Sequence, residues 1–315
     1  MASSEDGLRA TGQTVFSLTR AVLIYNPAAG RRGAAREPIA QFRHMLAERG
    51  IQLEARATSG PGEAADLARQ AIERGVDCLI VRGGDGTVNE ALQGLVGSAV
   101  PLAIWPAGTA NVLASVLGIP RRLPDVVRMI AERQICEVSV GRANGRYFVL
   151  MVGIGLDASI VQEVNPDLKR RLGLLAYWFA GLKHLVTWKA PVFTLQLPGQ
   201  QIRATFAAIA NVPSYGGGIR MAPDARPETE EFRVCAITSR CKLLYALVYL
   251  PLTFLGWHIH LPGVLYMSAR GGRAWADSGE PIPFQVDGEL AGTLPVEFEL
   301  IPRALRVIVP RTSRR

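Results

Sequence analysis

The sequence predicts an α/β amino-terminal half with a parallel sheet, joined to a mostly antiparallel β half that carries helices. Three observations predict this. From Arg20 onward, short apolar runs alternate with stretches of helical spacing, the pattern of a helix-covered parallel sheet. Past Cys136 the apolar segments stay short, several alternate, and Gly, Pro or Asp-Gly separates them, as in antiparallel strands. The composition, 49% hydrophobic and 20% charged over 315 residues, is globular, and no internal repeat is evident. The expected division is a flexible extension over 1–19, an α/β unit over 20–137, a β unit over 138–310 and a tail over 311–315.

In order along the chain, Ala21–Tyr25 (AVLIY) is a buried strand ended by Asn26-Pro27, a turn-forming pair. Ile39–Arg49 has helical spacing, with Phe42, Met45 and Leu46 on one side and Gly50 as the stop. Ile51–Ala57 reads as a strand, Glu63–Arg74 as a helix closed by Gly75, and Val76–Val81 as a second buried strand. A glycine-rich loop follows, then a helix through Leu95, a strand at Leu102–Trp105 and a further helical stretch after Asn111. The second half offers strands at Glu137–Val140, Tyr147–Val152, Val192–Leu197, Ile202–Asn211, Phe232–Thr238, Phe284–Val286, Val296–Leu300 and Leu305–Val309. Two apolar helices interrupt them, Leu172–Trp188 and Leu243–Trp257.

The net charge of +8 suits phosphates, nucleic acid or an anionic membrane equally well. No nucleic-acid motif accompanies it, so nucleic acid is not expected as a partner. Cys78, Cys136, Cys235 and Cys241 form no C-x-x-C pair, which argues against zinc-ribbon and disulfide-framework readings. The amino terminus has early acids and no long apolar core, unlike a secretory leader. The run Leu243–Trp257 is short for a spanning helix. The expectation is a cytoplasmic protein with some apolar surface.

Three loops carry the chemistry of the first half. Gly83-Gly84-Asp85-Gly86-Thr87-Val88-Asn89 sits between a buried strand and a helix, where bare glycine backbone and the first helical N–H groups suit a phosphate. A tight strand-to-helix turn would need the same glycines. Asn26-Pro27-Ala28-Ala29-Gly30-Arg31-Arg32 and Pro106-Ala107-Gly108-Thr109-Ala110-Asn111 follow other strands. Loops beyond the carboxyl ends of neighbouring strands converge on one crevice, and Thr58 lies at a fourth strand end. Near the carboxyl terminus, Asp287-Gly288-Glu289 offers two carboxylates, although Asp-Gly is also a favoured hairpin turn.

The set NPAAG (26–30), TSGPGEA (58–64), GGDGTVNEALQGL (83–95), PAGTAN (106–111), GIGLDA (153–158) and VDGE (286–289) strongly resembles the diacylglycerol kinase catalytic-domain family. It is most similar to the bacterial diacylglycerol kinase B and YegS type, over about residues 20–310. The resemblance implies a phosphofructokinase-like α/β domain, a β-sandwich second domain and a nucleotide cleft between them. It also implies a kinase using ATP and Mg²⁺ on diacylglycerol or a related lipid alcohol. Asn26, Pro27, Gly30, Thr58, Gly83, Gly84, Asp85, Gly86, Thr87, Asn89 and Thr109 would then contact ATP, and Asp85 would help hold Mg²⁺. Glu289 would accept the proton of the lipid hydroxyl, with Asp287 beside it. A carboxylate near the incoming hydroxyl is what phosphoryl transfer asks of a protein once the phosphates are aligned.

In one place the chain departs from the family. Where a metal-binding Asp is usual it has Thr229, leaving Glu228 and Glu230 as candidate ligands for an accessory Mg²⁺. Lys169-Arg170-Arg171 ahead of the aromatic Leu172–Trp188 segment suits a peripheral anionic membrane surface. An exposed sheet edge could pair two copies into a homodimer. The alternatives are a lipid- or nucleotide-binding member without turnover, which the missing Asp favours, and an NAD kinase-like enzyme, which shares GGDGT.

Overall fold

The computed structural model describes residues 17–27, 36–163, 188–214, 218–277 and 279–311. The expectations for residues 1–16, for Ala28–Ala35 with Gly30, Arg31 and Arg32, and for the aromatic segment before Trp188 lie outside them.

Aliphatic runs flanked by turn residues become the central strands of the first half: β1 (Arg20–Tyr25), β2 (Gln52–Ala57), β3 (Cys78–Gly83) and β4 (Leu102–Pro106). They pair in parallel in the order β2-β1-β3-β4. Helices α1 (Arg36–Ala47), α2 (Glu63–Glu73) and α3 (Asp85–Leu95) make the crossovers, and α4 (Val112–Val116) and α5 (Leu123–Glu132) follow β4. Leu79, Ile80 and Val81 are fully buried, each side chain stabilising the fold by about 1.5–3 kcal/mol. Phe42 and Leu46 pack down from α1, as their spacing predicts. The strand expected to end at Val81 continues to Gly83, so the loop is shorter than the glycines suggest.

The second half contains β5 (Ile135–Ala143), β6 (Arg146–Phe148), β7 (Met151–Gly155), α6 (Leu156–Glu163), β8 (Phe193–Leu197), β9 (Gln200–Ala204), β10 (Phe206–Ala210) and β11 (Phe232–Ile237). A helical segment, α7, covers residues 242–255, and Trp257–His260 forms a 3₁₀ turn. Strands β12 (Val264–Ala269), β13 (Gly271–Ala276), β14 (Pro283–Val286), β15 (Glu289–Thr293) and β16 (Val296–Ile308) complete the chain. One antiparallel sheet runs β12-β11-β10-β7-β14-β15. The other sheet extends the first-half strands: β16 joins β4 in parallel at Val307 and Leu102, and β13, β8 and β9 follow. β5 pairs with β16, and β6 with β5. The two sheets close over Phe148, Phe193, Phe232, Phe284 and Phe298 as a sandwich.

Several expected strands are divided or joined, each for a visible reason. Tyr147–Val152 breaks into β6 and β7 because the amides of Val149 and Leu150 turn toward the Asp287 carboxylate. Ile202–Asn211 breaks at Thr205, where the chain leaves one sheet for the other. The two carboxyl-terminal strands are one strand, β16, with a register shift between Ile301 and Leu305. The sequence reading lacks β12, β13, β15 and α6. The 137/138 division falls within β5, which hydrogen-bonds into the sheet that the first half begins.

Candidate active site

The carboxyl ends of β1, β2, β3 and β4 bring Asn26, Thr58, the glycine loop and Pro106–Asn111 to one edge. The Asn26 amide donates to the Arg82 carbonyl, and the Thr58 amide to the Tyr25 carbonyl. Close backbone approach dominates here. A Cβ on Gly108 would stand 2.5 Å from Gly84 Cα, so the two loops touch through glycine alone. The Asn111 side chain closes its own loop, accepting from the Gly108 amide at 3.0 Å and donating to the Gly108 carbonyl at 2.6 Å. Gly83 is required for another reason: Thr87 packs directly over it, 2.6 Å from any added Cβ. Thr109 is exposed at the loop's tip.

Asp85 opens α3 and ties the loops together. Its Oδ1 accepts from the Val112 amide at 2.7 Å, across to the start of α4. Burial raises its carboxyl pKa, opposed by the backbone amides of residues 111–113. Arg82, three residues earlier near the end of β3, lies 4.9 Å over the Trp105 ring. Its Nε and Nη1 are buried without hydrogen bonds, and burial lowers its pKa.

The β14–β15 hairpin reaches this edge from the other half. Asp287 and Gly288 both have positive φ, 50° and 83°, the two-residue turn that Asp-Gly favours. The turn is therefore real, and it also places chemistry. The Asp287 carboxylate accepts from the amides of Val149, Leu150 and Met151 at 2.9–3.0 Å. It also accepts from Asn89 Nδ2 at 2.8 Å. Enclosure pushes its pKa up to about 6 against the pull of those four donors. Asn89, expected at the nucleotide, is buried, and its Nδ2 donates to Asp287 and the Tyr147 carbonyl. Its neighbour on α3, Gln93, donates to the Tyr147 carbonyl and accepts from the Tyr147 amide, binding β6 to the helix.

Glu289 has opposite surroundings. Its side chain is 47% exposed, and its Oε2 accepts from Arg146 Nη2 at 2.5 Å. Oε1 faces the first turn of α3, 3.4 Å from where a Cβ on Gly86 would stand. The structure thus brings Glu289, Gly86 and Asn89 together, with Arg146 bridging Glu289 to Asn89 Oδ1 at 3.3 Å. Sequence reasoning missed Arg146; its only signal is the Asn144-Gly145 turn before it, again with two positive φ angles.

A second missed pair lies under the hairpin. Asp157, in the GIGLDA stretch, accepts from Gln285 Nε2 at 2.6 Å, and Gln285 Oε1 accepts from the Gly288 amide at 2.7 Å. Both side chains are buried, and the Asp157 pKa is pushed up to about 6 by burial. The approach needs Gly153, where a Cβ would collide with the Asp157 carboxylate.

The accessory cation site expected at Glu228 and Glu230 is not assembled. Glu230 pairs with Arg303 at 3.2 Å and Arg270 at 3.5 Å, while Glu228 lies 4.0 Å from Cys136 Sγ. Thr229 closes a turn on the Arg226 carbonyl. Among the described residues no group of three potential metal ligands occurs. Arginines neutralise the acid that a cation would have to claim.

Comparison with known proteins assigns a family model to each half of the chain. Residues 20–143 match the model of the diacylglycerol kinase catalytic domain, and residues 150–309 that of the YegS C-terminal NAD kinase beta sandwich-like domain. A protein of Bacillus subtilis (strain 168) named diacylglycerol kinase is 29% identical over 93% of this chain and 97% of its own. Another so named, from Staphylococcus aureus (strain MRSA252), is 30% identical over 92% of each. A crystal structure of a diacylglycerol kinase from Bacillus anthracis (strain Sterne) superposes with TM-score 0.72 at 20% identity, covering 94% of this chain and 98% of that one.

Proposed function

Since the chain belongs to the diacylglycerol kinase catalytic-domain family, we propose that it transfers the γ-phosphoryl group of ATP to the hydroxyl of diacylglycerol or a related lipid alcohol. The observation that carries this reading is Glu289 over Gly86: an exposed carboxylate from the β half stands at the glycine loop of the α/β half. A kinase for an alcohol needs those two features side by side, a phosphate cradle and a proton acceptor.

The residues divide the work. Gly84, Gly86 and Gly108 keep side chains out of the space where the phosphates approach the backbone, and the first-turn amides of α3 donate to them. Asn26, Pro27, Thr58, Thr87 and Thr109 ring the same edge for the nucleotide. Asp85 would hold the magnesium that accompanies ATP, and that ion supplies charge neutralisation at the transferring phosphates. Arg146 fixes Glu289 through Oε2, which leaves Oε1 for the lipid hydroxyl. As the hydroxyl oxygen bonds to the γ-phosphorus, the bond to the β–γ bridging oxygen breaks, ADP leaves, and the hydroxyl proton passes to Glu289. Asp287 positions this hairpin and takes no proton in the reaction. The lipid reaches the cleft from a membrane surface, with the protein in the cytoplasm; no helix among the described residues is long and apolar enough to cross a bilayer.

The test is transfer of label from γ-labelled ATP with Mg²⁺ into a panel of lipid alcohols, beside Glu289→Gln. We expect a labelled lipid in the wild type and a loss of about 10²–10⁴-fold in the variant, the usual contribution of a positioned base, with ATP binding retained. An equally active variant would remove Glu289 from the acceptor role. ATP binding without any labelled lipid would favour a member that binds without turnover.

A further inference from the structure

Segment 242–260 is amphipathic in the inverted sense. Surface helices turn polar residues outward and apolar ones inward. Here the inward side chains are Tyr245, Tyr249, Thr253 and His258, all buried. Each uses its polar atom beneath the helix or along it. Tyr245 Oη meets Thr205 Oγ1 at 2.7 Å, and Tyr249 Oη donates to the Pro262 carbonyl at 3.3 Å. Thr253 Oγ1 donates to the Leu250 carbonyl, and His258 Nε2 meets the Met221 carbonyl at 3.2 Å. The outward side chains are Leu243, Leu244, Leu247, Phe254, Leu255 and Trp257, with Leu247 71% and Trp257 63% exposed. Only two other large apolar side chains among the described residues are exposed at all, and one of them, Leu265, stands on the adjoining β12.

The backbone explains how such a segment persists in spite of a proline. Pro251 lacks the N–H that an interior helical residue would donate. The chain widens into a π turn over Tyr245–Tyr249 just before it, with the Leu250 amide donating to the Tyr245 carbonyl. That widening is a known way to absorb a break in the helical ladder. It keeps both tyrosines inward, their rings edge to face at 5.4 Å, and presents the leucines to solvent.

Charge selects the occupant. From Phe232 to Ala276 the chain contains no acidic residue. Arg240 is exposed at the amino-terminal end of the apolar face, Lys242 opens the helix, and Arg220 lies against Gly256. A second copy laid on this face would bring cations toward cations with no acid in the segment to answer them. An anionic lipid surface answers both the apolar centre and the basic rim.

We propose that residues 243–257 form a docking face for an anionic phospholipid bilayer. The helix lies in the plane of the interface, with Leu243, Leu247, Leu255 and Trp257 entering the boundary between headgroups and acyl chains. Arg240 and Lys242 meet lipid phosphates. The purpose of this face rests on the lipid kinase reading, but its physical basis does not, so binding is measured without turnover. Full-length protein is sedimented with vesicles of phosphatidylcholine alone or mixed with phosphatidylglycerol. We expect binding that needs phosphatidylglycerol, weakens with salt, and falls about tenfold or more in Leu247→Glu, a substitution at an exposed site. Vesicles carrying brominated acyl chains should quench tryptophan fluorescence in the wild type, and clearly less in Trp257→Phe. Undiminished binding by Leu247→Glu, no vesicle binding by the wild type, or a dimer that Leu247→Glu converts to monomer would each overturn the proposal, the last by making the face an interface between copies. Loss of lipid phosphorylation with vesicle binding intact would count against the kinase reading alone.

Discussion

The strand-end loops and the β14–β15 hairpin meet at one crevice but are built by different means. The loops are held locally: Gly84 against Gly108, Asn111 closing on Gly108 three residues away, and Thr87 over Gly83. The hairpin is held by distant partners, Asp287 to amides 136–138 residues earlier and to Asn89 across 198 residues. Backbone shape makes the first region, and a buried carboxylate network makes the second. Two acids separated by one glycine show the consequence. Asp287 is spent on four donors, while Glu289, with one arginine partner, keeps an oxygen free at the glycine loop.

The largest effect should come from breaking the network side of that comparison. Asp287→Ala leaves three backbone amides and the Asn89 side chain without their acceptor, each costing about 1–3 kcal/mol when enclosed. Partial hydration brings the expected loss of unfolding free energy to about 3–5 kcal/mol, measured by urea denaturation. Loss below about 1 kcal/mol would mean the hairpin is held by its turn alone.

A smaller, pH-dependent effect isolates the second buried carboxylate. The folded-state pKa of Asp157 is raised to about 6, so the folded protein holds a proton that the unfolded chain releases near the ordinary Asp value. This group therefore contributes stability that is present at pH 4 and below and is lost as pH rises through 6, amounting to about 3 kcal/mol. Asp157→Asn should flatten that decline between pH 4 and pH 6, and should be no less stable than the wild type at pH 7. Parallel pH curves for the two proteins would show that Asp157 ionises normally.

The smallest effect tests the backbone side. In Gly108→Ala the new Cβ would collide with Gly84 Cα, parting the two loops. ATP affinity by calorimetry should fall about tenfold, equivalent to about 1.4 kcal/mol. Unchanged affinity would show that the nucleotide does not depend on that approach.

The contrast between regions also governs what was legible beforehand. GGDGT between a strand and a helix, the loop at Pro106–Asn111 and the Asp-Gly turn could all be read because each is defined within a few residues. The family resemblance groups Asn89 with the nucleotide loop; the side-chain partners the fold gives it, Tyr147 and Asp287, lie far along the chain. Gln285 carried no local signal, while the turn before Arg146 and the motifs that contain Gln93 and Asp157 gave no hint of the distant partners those side chains meet. Glu228 and Glu230 stand as candidate cation ligands because they flank Thr229, where the family usually has a metal-binding Asp, and only packing brings Arg303 and Arg270 to Glu230.

By itself, then, the sequence determined the alternation of parallel strands and helices, the antiparallel second half, the glycine loops and the turn that carries Glu289. These depend on hydrophobic period and on backbone angles that few residues adopt, both properties of short stretches. Tertiary structure alone decided that β16 would continue the first-half sheet, that Tyr147–Val152 would break for Asp287, and that α7 would turn its leucines outward. Those outcomes turn on which buried polar groups find partners far along the chain, and a partner exists only once the chain has folded.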